Sequence, residues 1–330
     1  MPLPESRPQA DPVPAPTTSA SILGIGCALP QTRIASSEIA GRLGLEPGWI
    51  ERRTGIRHRR REHPETGVLR LATRAGERAL AAAGIEAAEL DLVLVATLCA
   101  DDLTPGAAPQ VATALGANRA GAFDIGAACN GFISALATAA GMIESGRAGR
   151  VLVIGAEVMS RFIDHADRRT AGLFGDGAGA AVVGAGGTGR IGRILLEGDG
   201  EAAELIRVKL SDRLLRMDGH ATFLRAVGAL TASTQELLEH ERLSTGDIDL
   251  FVYHQANGRI LSAVADRLGV ADGRVLDVIA ETGNTSAASI PLALGEAIKT
   301  GRLQPGMRVV LGAVGAGLLW GTCLIEWGGA

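Results

Sequence analysis

The sequence predicts a layered α/β fold built from two similar halves, and three observations support this prediction. Short apolar runs alternate with helical patterns along the chain, as expected where helices cover a sheet. The chain has 45 glycines and only 3% aromatic residues, which favours close contact between backbones over a core of large rings. Two stretches of the first half also recur in the second. With 330 residues, the chain can bury a substantial core.

The first twenty residues differ from the rest in composition. The segment MPLPESRPQADPVPAPTTSA is rich in proline and lacks the apolar centre of a signal peptide. Such a segment cannot bury enough apolar surface to become ordered, so residues 1–20 are predicted to be a disordered extension. No apolar run has the length of a membrane span. We therefore expect a cytoplasmic protein without membrane contact.

The first recurring element is a helix, a turn and a buried strand. It is written ERALAAAGIEAAELDLVLVAT at 77–97 and QELLEHERLSTGDIDLFVYHQ at 235–255, with Asp91 matching Asp249. In both copies the acidic residue directly precedes the apolar strand. This pattern predicts equivalent strands in the two halves.

The second recurring element is a strand, a loop, a helix and another buried strand. It spans 123–157 and again 276–315. If the longer copy carries its excess in the loop before the helix, Cys129 falls opposite Asn284. We interpret the chain as two α/β halves, 21–190 and 191–330, packed as one unit. A twofold relation between them would bring the two helix starts together.

Charge and cysteine usage exclude several functions. The net charge of −4 favours neither nucleic acid nor an anionic membrane. The four cysteines form no CxxC pair and share no ligand spacing with histidine, so neither a disulfide framework nor a metal site is expected.

Cys129 is the first candidate for chemistry. It lies between a predicted strand and a predicted helix, where backbone N–H groups and the helix dipole favour a thiolate. A buried structural thiol is the alternative, because cysteine often acts as a small apolar residue. The short stretch around Cys129 does not decide between them.

His254 and Asn284 complete the candidate site. His254 directly follows a buried strand, and Asn284 precedes a predicted helix. Each has a structural alternative, since either side chain can cap a helix or a turn. All three residues are predicted at the carboxyl ends of strands, where open α/β sheets place their sites. Cysteine with histidine and asparagine elsewhere in the chain is a known nucleophile arrangement, so catalysis is favoured jointly.

Six motifs in the sequence resemble those of a known family. The chain resembles β-ketoacyl-acyl carrier protein synthase III from Ile22 to Trp327 through RRTGIRHR (52–59), AACNGF (127–132), LFGDGAGAAVV (173–183), HQANGRI (254–260), GNTSAASIPLAL (283–294) and GAVGAGLLWG (312–321). The resemblance implies the thiolase fold, five layers in the order αβαβα, a homodimer and no cofactor. It implies an initiating condensing enzyme of fatty-acid or polyketide synthesis.

The resemblance also implies roles for the site residues. Cys129 would take an acyl group from acyl-CoA as a thioester. His254 and Asn284 would stabilise the enolate formed when a malonyl-acyl carrier protein loses carbon dioxide. The amides of Cys129 and Ala316 would form the oxyanion hole. The Cys-His-Asn set resembles the type III group rather than elongating enzymes, which use Cys-His-His.

The basic stretch WIERRTGIRHRRR at 49–61 is either a solvated loop or a substrate handle. The resemblance implies that Trp49, Arg53 and Arg168 hold the adenine of CoA. Arg259 would help to dock the acidic carrier protein.

Two residues bear on the acyl group by the same resemblance. Thr104 and Val314 are smaller than the residues of many relatives at these acyl-pocket positions, so we expect an acyl group larger than acetyl. The segment between Gly200 and Met217 looks short for the family, which argues against this expectation.

Two other functions stay open. One is an acyltransferase that passes the acyl group to an alcohol, an amine or another non-malonyl acceptor. The other is a non-catalytic partner subunit, which the retained Cys129, His254 and Asn284 argue against.

Overall fold

The computed structural model describes residues 18–63, 65–271 and 273–329. The predicted disordered extension therefore lies, up to residue 17, outside the described residues. The described chain forms strands β1 to β13 at Ala20–Ala28, Thr32–Ala35, His58–Arg61, Leu92–Ala96, Gly121–Ile125, Arg150–Val158, Asp176–Ala185, Arg190–Gly198, Ile206–Val208, Leu215–Met217, Leu250–Tyr253, Arg308–Gly315 and Leu319–Glu326. It forms helices α1 to α9 at Ser36–Arg42, Trp49–Thr54, Gly67–Ala83, Ala107–Leu115, Gly131–Glu144, Gly219–Glu241, Gly258–Leu268, Ile279–Thr282 and Ser289–Lys299.

The first sheet has the strand order β1-β7-β6-β4-β5. Strand β4 pairs in parallel with both β5 and β6, and β7 pairs antiparallel with β6 and β1. The sequences of β4 and β6 are almost entirely apolar. Strand β4 is buried throughout its length, and β6 is buried nearly throughout. Continuous apolar strands of this kind are expected where helices cover both faces of a sheet.

The second sheet has the order β11-β12-β13-β8, with β11 and β12 parallel. It repeats the arrangement of the first sheet except at one edge, where a strand was predicted from Leu276 onward. Only an isolated bridge between Val275 and Phe251 forms there. The Gln255 side chain is the reason: its amide donates to the Leu276 carbonyl (3.0 Å) and accepts the Val278 N–H (2.8 Å), so these groups are not free to continue a ladder.

Three apolar clusters show how the layers pack. The central cluster joins helices α5 and α9 to the facing sides of both sheets. Helices α3 and α4 cover the outer face of the first sheet, and α6 and α7 cover the outer face of the second. The molecule is therefore a five-layered αβαβα unit, as predicted.

Small residues allow the two central helices to start close together. A Cβ atom on Gly155 of β6 would lie 2.3 Å from the Ala287 carbonyl oxygen, and one on Gly131 would lie 3.4 Å from the Ala287 Cβ. The glycines therefore let the segment before α9 reach the start of α5. Within the described ranges, no helix combines the length and the apolar character needed to cross a membrane.

Candidate active site

A cavity of about 520 Å³ brings the predicted catalytic residues together. Cys129, His254 and Asn284 all line it, and Ala316 lines it beside them. Cys129 precedes α5 and Asn284 precedes α9. His254 follows β11 and Ala316 follows β12. The cavity therefore lies where the two predicted halves meet, and it is lined by Cys129 from one half and by His254 and Asn284 from the other.

The backbone before α5 positions Cys129. Residues Ala128–Asn130 form a 3-10 turn that runs into the helix, and Ala128 has a φ of 46°, in the left-handed region. Burial raises the pKa of the Cys129 thiol to about 12, although a hydrogen bond with Ser286 lowers it. The helix start that was expected to favour a thiolate is present, but the loss of hydration outweighs it.

The turn before α9 repeats this geometry. Residues Ser286–Ala288 form a 3-10 turn, and Ser286 has a φ of 50°. Each turn begins at its left-handed residue, so Ala128 in the first half is equivalent to Ser286 in the second. Cys129 therefore corresponds to Ala287 and not to Asn284. The reason is a longer loop and a shorter helix: Ser286 lies nine positions after Asp277, whereas Ala128 lies four positions after Asp124. Asn284 still reaches the cavity from this longer loop.

His254 follows β11 and is 3% exposed. Its backbone N–H donates to the Gly312 carbonyl at 2.7 Å, which fixes the residue against the neighbouring strand β12. Its ring Nδ1 lies 2.6 Å from Ser289 Oγ. Burial lowers the pKa of the imidazole to about 4, so the ring is neutral near pH 7. A neutral ring bonded through Nδ1 can present its Nε2 to the cavity.

Asn284 is held by its own backbone and by its side-chain oxygen. Its N–H donates to the Leu173 carbonyl and its carbonyl accepts the Gly175 N–H, both at 2.9 Å. Its Oδ1 accepts the Ser286 N–H at 2.9 Å. Because the oxygen is used within the loop, the amide NH₂ is the group left for the cavity. His254 and Asn284 thus supply two neutral donors.

The end of β12 meets the start of α5 beside the nucleophile. A Cβ atom on Gly315 would lie 2.7 Å from the Cys129 nitrogen, so only a glycine lets the strand come this close. Ala316 follows directly and lines the cavity. The amides predicted to form the oxyanion hole, those of Cys129 and Ala316, therefore belong to segments in contact.

Two polar residues behind Cys129 were missed by the sequence analysis. Ser286 donates from its hydroxyl to Glu157 Oε1 at 2.9 Å and also bonds to the Cys129 thiol. Glu157 is fully buried near the end of β6. Its presence in the apolar run VLVIGAEVM was the available signal, since a lone carboxylate in a buried strand is rare.

Charged and aromatic side chains surround the cavity mouth. The Arg53 guanidinium stacks on the Trp49 ring, 4.2 Å from its centre, and both residues line the cavity. Arg259 also lines it and donates to the Arg52 carbonyl at 3.0 Å. Arg168 is exposed and does not line the cavity, whereas its neighbour Arg169 does.

The apolar wall of the cavity includes Val314 but not Thr104. Thr104 is exposed on a loop of its own chain. The segment from 200 to 217, which looked short in the sequence, forms a 3-10 turn and the hairpin of β9 and β10. Side chains of this hairpin line the cavity, namely Ile206, Arg207, Val208, Leu215 and Met217.

Comparison with known proteins identifies relatives over most of the chain. Residues 123–200 match the family model described as 3-oxoacyl-[acyl-carrier-protein (ACP)] synthase III, and residues 238–327 match its C-terminal counterpart. A relative from Streptomyces coelicolor, β-ketoacyl-[acyl-carrier-protein] synthase III 2, is 44% identical over 314 residues, which cover 94% of each chain. A synthase III from Synechococcus elongatus is 41% identical, covering 95% of this chain and 98% of its own.

Solved structures agree with these sequence matches. The 3-oxoacyl-[acyl-carrier-protein] synthase III of Aquifex aeolicus superposes with a TM-score of 0.91 at 39% identity, covering 93% of this chain and all of its own. The priming β-ketosynthase of the R1128 polyketide pathway superposes with a TM-score of 0.90 at 37% identity, covering 96% and 99%. The predicted thiolase fold is confirmed by these likenesses.

Proposed function

The chain belongs to the 3-oxoacyl-[acyl-carrier-protein] synthase III family, and from this premise we propose the steps that its residues perform. It is an acyl-transferring condensing enzyme of the β-ketoacyl-acyl carrier protein synthase III type, acting in the initiation of fatty-acid or polyketide synthesis. The first step proposed is self-acylation, in which Cys129 attacks the thioester of acyl-CoA and releases CoA. The observation that carries the proposal is that Cys129, His254 and Asn284 share one cavity.

The second step is condensation with a malonyl-acyl carrier protein. The malonyl thioester carbonyl lies between the His254 ring and the Asn284 amide, two neutral donors that stabilise the negative oxygen as carbon dioxide leaves. The enolate carbon then attacks the acyl thioester on Cys129. The amides of Cys129 and Ala316 stabilise the oxyanion of this second addition, supported by the contact of Gly315 with the Cys129 backbone.

The cavity mouth supports the assignment of CoA and carrier-protein contacts. Within the described part of the chain, Arg53, Arg168 and Arg259 form no ion pair, so their charges are available for phosphates and acidic side chains. Trp49 offers a ring for the adenine, and Arg259 stands beside it for the carrier protein. We assign the CoA role to Trp49 and Arg53 on this basis. Arg168 does not line the cavity, and its assignment to CoA rests on the family resemblance and on its exposed side chain next to Arg169, which forms no ion pair among the described residues in the case of Arg168.

The acyl group and the assembly belong to the same proposal. Val314 lines the apolar wall and is smaller than the residue of many relatives there, which supports an acyl group larger than acetyl. Thr104 is exposed and does not line the cavity, so the acyl-pocket role that the family resemblance gives it requires a second copy, and we propose a homodimer on that ground. We place the enzyme in the cytoplasm, where CoA and carrier-protein thioesters are made.

Mass spectrometry after mixing with acyl-CoA tests the first step. We expect one acyl adduct on Cys129 and none on the Cys129→Ala variant, and equal labelling of that variant would contradict the covalent mechanism. A series of acyl-CoAs of increasing length, scored by the rate of adduct formation, tests the size of the pocket. Fastest labelling by acetyl-CoA would overturn the larger-acyl assignment.

Carbon dioxide release tests the second step. His254→Ala and Asn284→Ala should keep self-acylation but lose decarboxylation of malonyl-acyl carrier protein by about a hundredfold, the usual effect of losing one such donor. A wild-type enzyme that acylates but releases no carbon dioxide would favour transfer to a non-malonyl acceptor instead.

A further inference from the structure

We propose that Ser286 and Glu157 take up the thiol proton of Cys129 during self-acylation, with the serine hydroxyl relaying the proton and the carboxylate holding it. This inference rests on the self-acylation proposed above and adds two residues to it. Ser286 touches the reacting sulfur, and Glu157 acts through Ser286 as a positioning residue and proton acceptor.

Ser286 links the other two groups. Its side chain interacts with the Cys129 thiol and lowers the pKa of that thiol, and its hydroxyl donates to Glu157 Oε1 at 2.9 Å. The second carboxylate oxygen accepts from Thr97 Oγ1 at 3.3 Å and from the Leu98 N–H at 3.2 Å. Among the described residues no cation pairs with Glu157, although the residue is fully buried. A buried carboxylate without a cation is costly, which indicates a purpose beyond packing.

The nucleophile needs such an acceptor. With its pKa raised to about 12, the thiol gives only a trace of thiolate at neutral pH. The other nearby base, His254, has its Nδ1 bonded to Ser289, and no hydrogen bond joins it to Cys129 among the described residues. Ser286 is the side chain that contacts the sulfur, so the proton has a direct exit toward Glu157.

The proton transfer balances without any further reactant. The S–H bond of Cys129 breaks as Ser286 Oγ gains that proton and passes its own to Glu157 Oε1. The thiolate then adds to the thioester carbonyl. When the tetrahedral intermediate collapses, the proton returns through Ser286 to the departing CoA sulfur, which is attached to the same carbon as Cys129 Sγ. The products are the acyl-enzyme and CoA thiol.

The titration of Glu157 suits this task. Burial raises its pKa to about 7, and hydrogen bonds from Cys99, Leu98, Ser286 and Thr97 limit the rise. The titratable groups around it are Cys99 after β4, Cys129 before α5 and Asp176 on β7. Above about pH 7 the carboxylate can accept a proton, and below it the acid cannot. The rate of thiol deprotonation should therefore rise with pH through 7.

Two variants and two reactions test the relay. The variants are Glu157→Gln, which keeps the shape, and Ser286→Ala, which removes the hydroxyl. The reactions are iodoacetamide alkylation of Cys129 and single-turnover acylation by acyl-CoA, each followed by mass spectrometry from pH 5.5 to 9. We expect both variants to react about a hundredfold more slowly at pH 8. The wild-type rate should level off above about pH 7, whereas the rates of the variants should keep rising with pH, as for an unassisted thiol with a pKa near 12.

A purely electrostatic role predicts the opposite result. The negative charge of Glu157 raises the pKa of Cys129, so its removal alone would make the thiol more acidic and alkylation faster. Alkylation of Glu157→Gln at or above the wild-type rate therefore overturns the relay. If this variant does not fold, the pH profile of Ser286→Ala decides, because loss of the Ser286 hydrogen bond slows alkylation by itself. A Ser286→Ala rate that still levels off above about pH 7 overturns the relay.

Asp176→Asn is the matched control. Asp176 is also fully buried and its pKa is also raised by burial, but its carboxylate accepts from Glu62 and Ser160. Its loss should leave the rate of alkylation at pH 8 unchanged and should shift the profile at most toward lower pH, because a negative charge near Glu157 is removed. A loss of rate equal to that of Glu157→Gln would contradict a specific relay. Failure of self-acylation itself would appear differently, as a wild-type enzyme without an acyl adduct.

Discussion

At the scale of single residues, the site depends on which nitrogen of the His254 ring carries the proton. His254 is neutral because it is buried, and a neutral imidazole can carry its proton on either nitrogen. Ser289 is the group that can bias this choice. Its Oγ accepts the Gln255 N–H at 3.3 Å and lies 2.6 Å from His254 Nδ1, where its hydroxyl proton can be donated to the ring. A ring that accepts at Nδ1 carries its proton on Nε2, the atom to which we assign the malonyl carbonyl.

Replacing Ser289 with alanine should therefore impair decarboxylation without affecting self-acylation. Without the hydroxyl the ring can adopt the other tautomer, and we expect carbon dioxide release to fall about tenfold, equivalent to about 1.4 kcal/mol. The measurement compares malonyl decarboxylation with acyl adduct formation on Cys129. Ser233→Ala is the control, because Ser233 is equally buried but bonds to Thr322. Equal losses in both reactions would show that Ser289 is only structural.

At the scale of secondary-structure elements, the geometry of the site depends on two backbone segments that come close together because no side chain lies between them. The end of β12 reaches the turn before α5 because Gly315 has no Cβ. The approach matters for the oxyanion hole, since the amide of Cys129 faces this glycine and Ala316 follows it.

A Gly315→Ala substitution should separate these segments. The new Cβ would meet backbone nitrogen atoms at 2.7 and 3.0 Å, which cannot move as flexible side chains can. We expect acylation of Cys129 to slow at least about tenfold, while overpacking costs about 1–3 kcal/mol of stability. Gly141→Ala in the last turn of α5 is the control, because nothing lies within 4 Å of the position that its Cβ would take. Adduct formation at the wild-type rate in Gly315→Ala would show that this close approach is dispensable.

The same scale shows what the sequence could predict. Apolar runs identified β4, β6, β11 and β12, since continuous burial leaves a clear pattern in the residues. The strand expected at Leu276 does not form, because the Gln255 side chain makes hydrogen bonds to backbone groups that would otherwise pair with a neighbouring strand. Such side-chain hydrogen bonds leave no periodic pattern in the sequence, so the sequence could not predict this outcome.

The site was predictable to a similar extent. Cys129, His254 and Asn284 were predicted to lie together because each follows a recognisable strand or precedes a helix, and all three line one cavity. The equivalence of Cys129 with Asn284 differed from the observed register because loop length and helix length changed in opposite directions. Ser286 and Ser289 were not found, since their roles depend on which groups of Glu157 and His254 face them in space.

At the scale of the whole molecule, the first sheet has an edge strand, β5, that pairs on one side only among the described strands. Among the described strands, β5 pairs only with β4, so its other side presents free backbone groups. Phe123 on this strand is 46% exposed, and Leu103 on the preceding loop is 97% exposed. Asp124 accepts the N–H groups of Ala107 and Ala108 at 2.8 and 2.6 Å, which holds the start of α4, directly after that loop, beside β5.

These features suit a twofold dimer in which two copies of β5 pair antiparallel. Such an interface is self-complementary and would cover the exposed apolar residues of both copies. It would also bring Thr104, next to Leu103, toward the partner. A Phe123→Lys substitution should therefore weaken the dimer, because a charged edge residue opposes strand pairing.

Sedimentation measurements over a range of protein concentrations test this assembly. We expect wild-type protein to sediment as a dimer and Phe123→Lys to shift toward the monomer, with slower acylation by long-chain acyl-CoAs because the partner's loop is lost. Leu196→Lys, on the edge strand β8 of the second sheet, is the matched control, since Leu196 is 40% exposed and lies on the other sheet. Dissociation by Leu196→Lys but not by Phe123→Lys would place the interface on the second sheet instead.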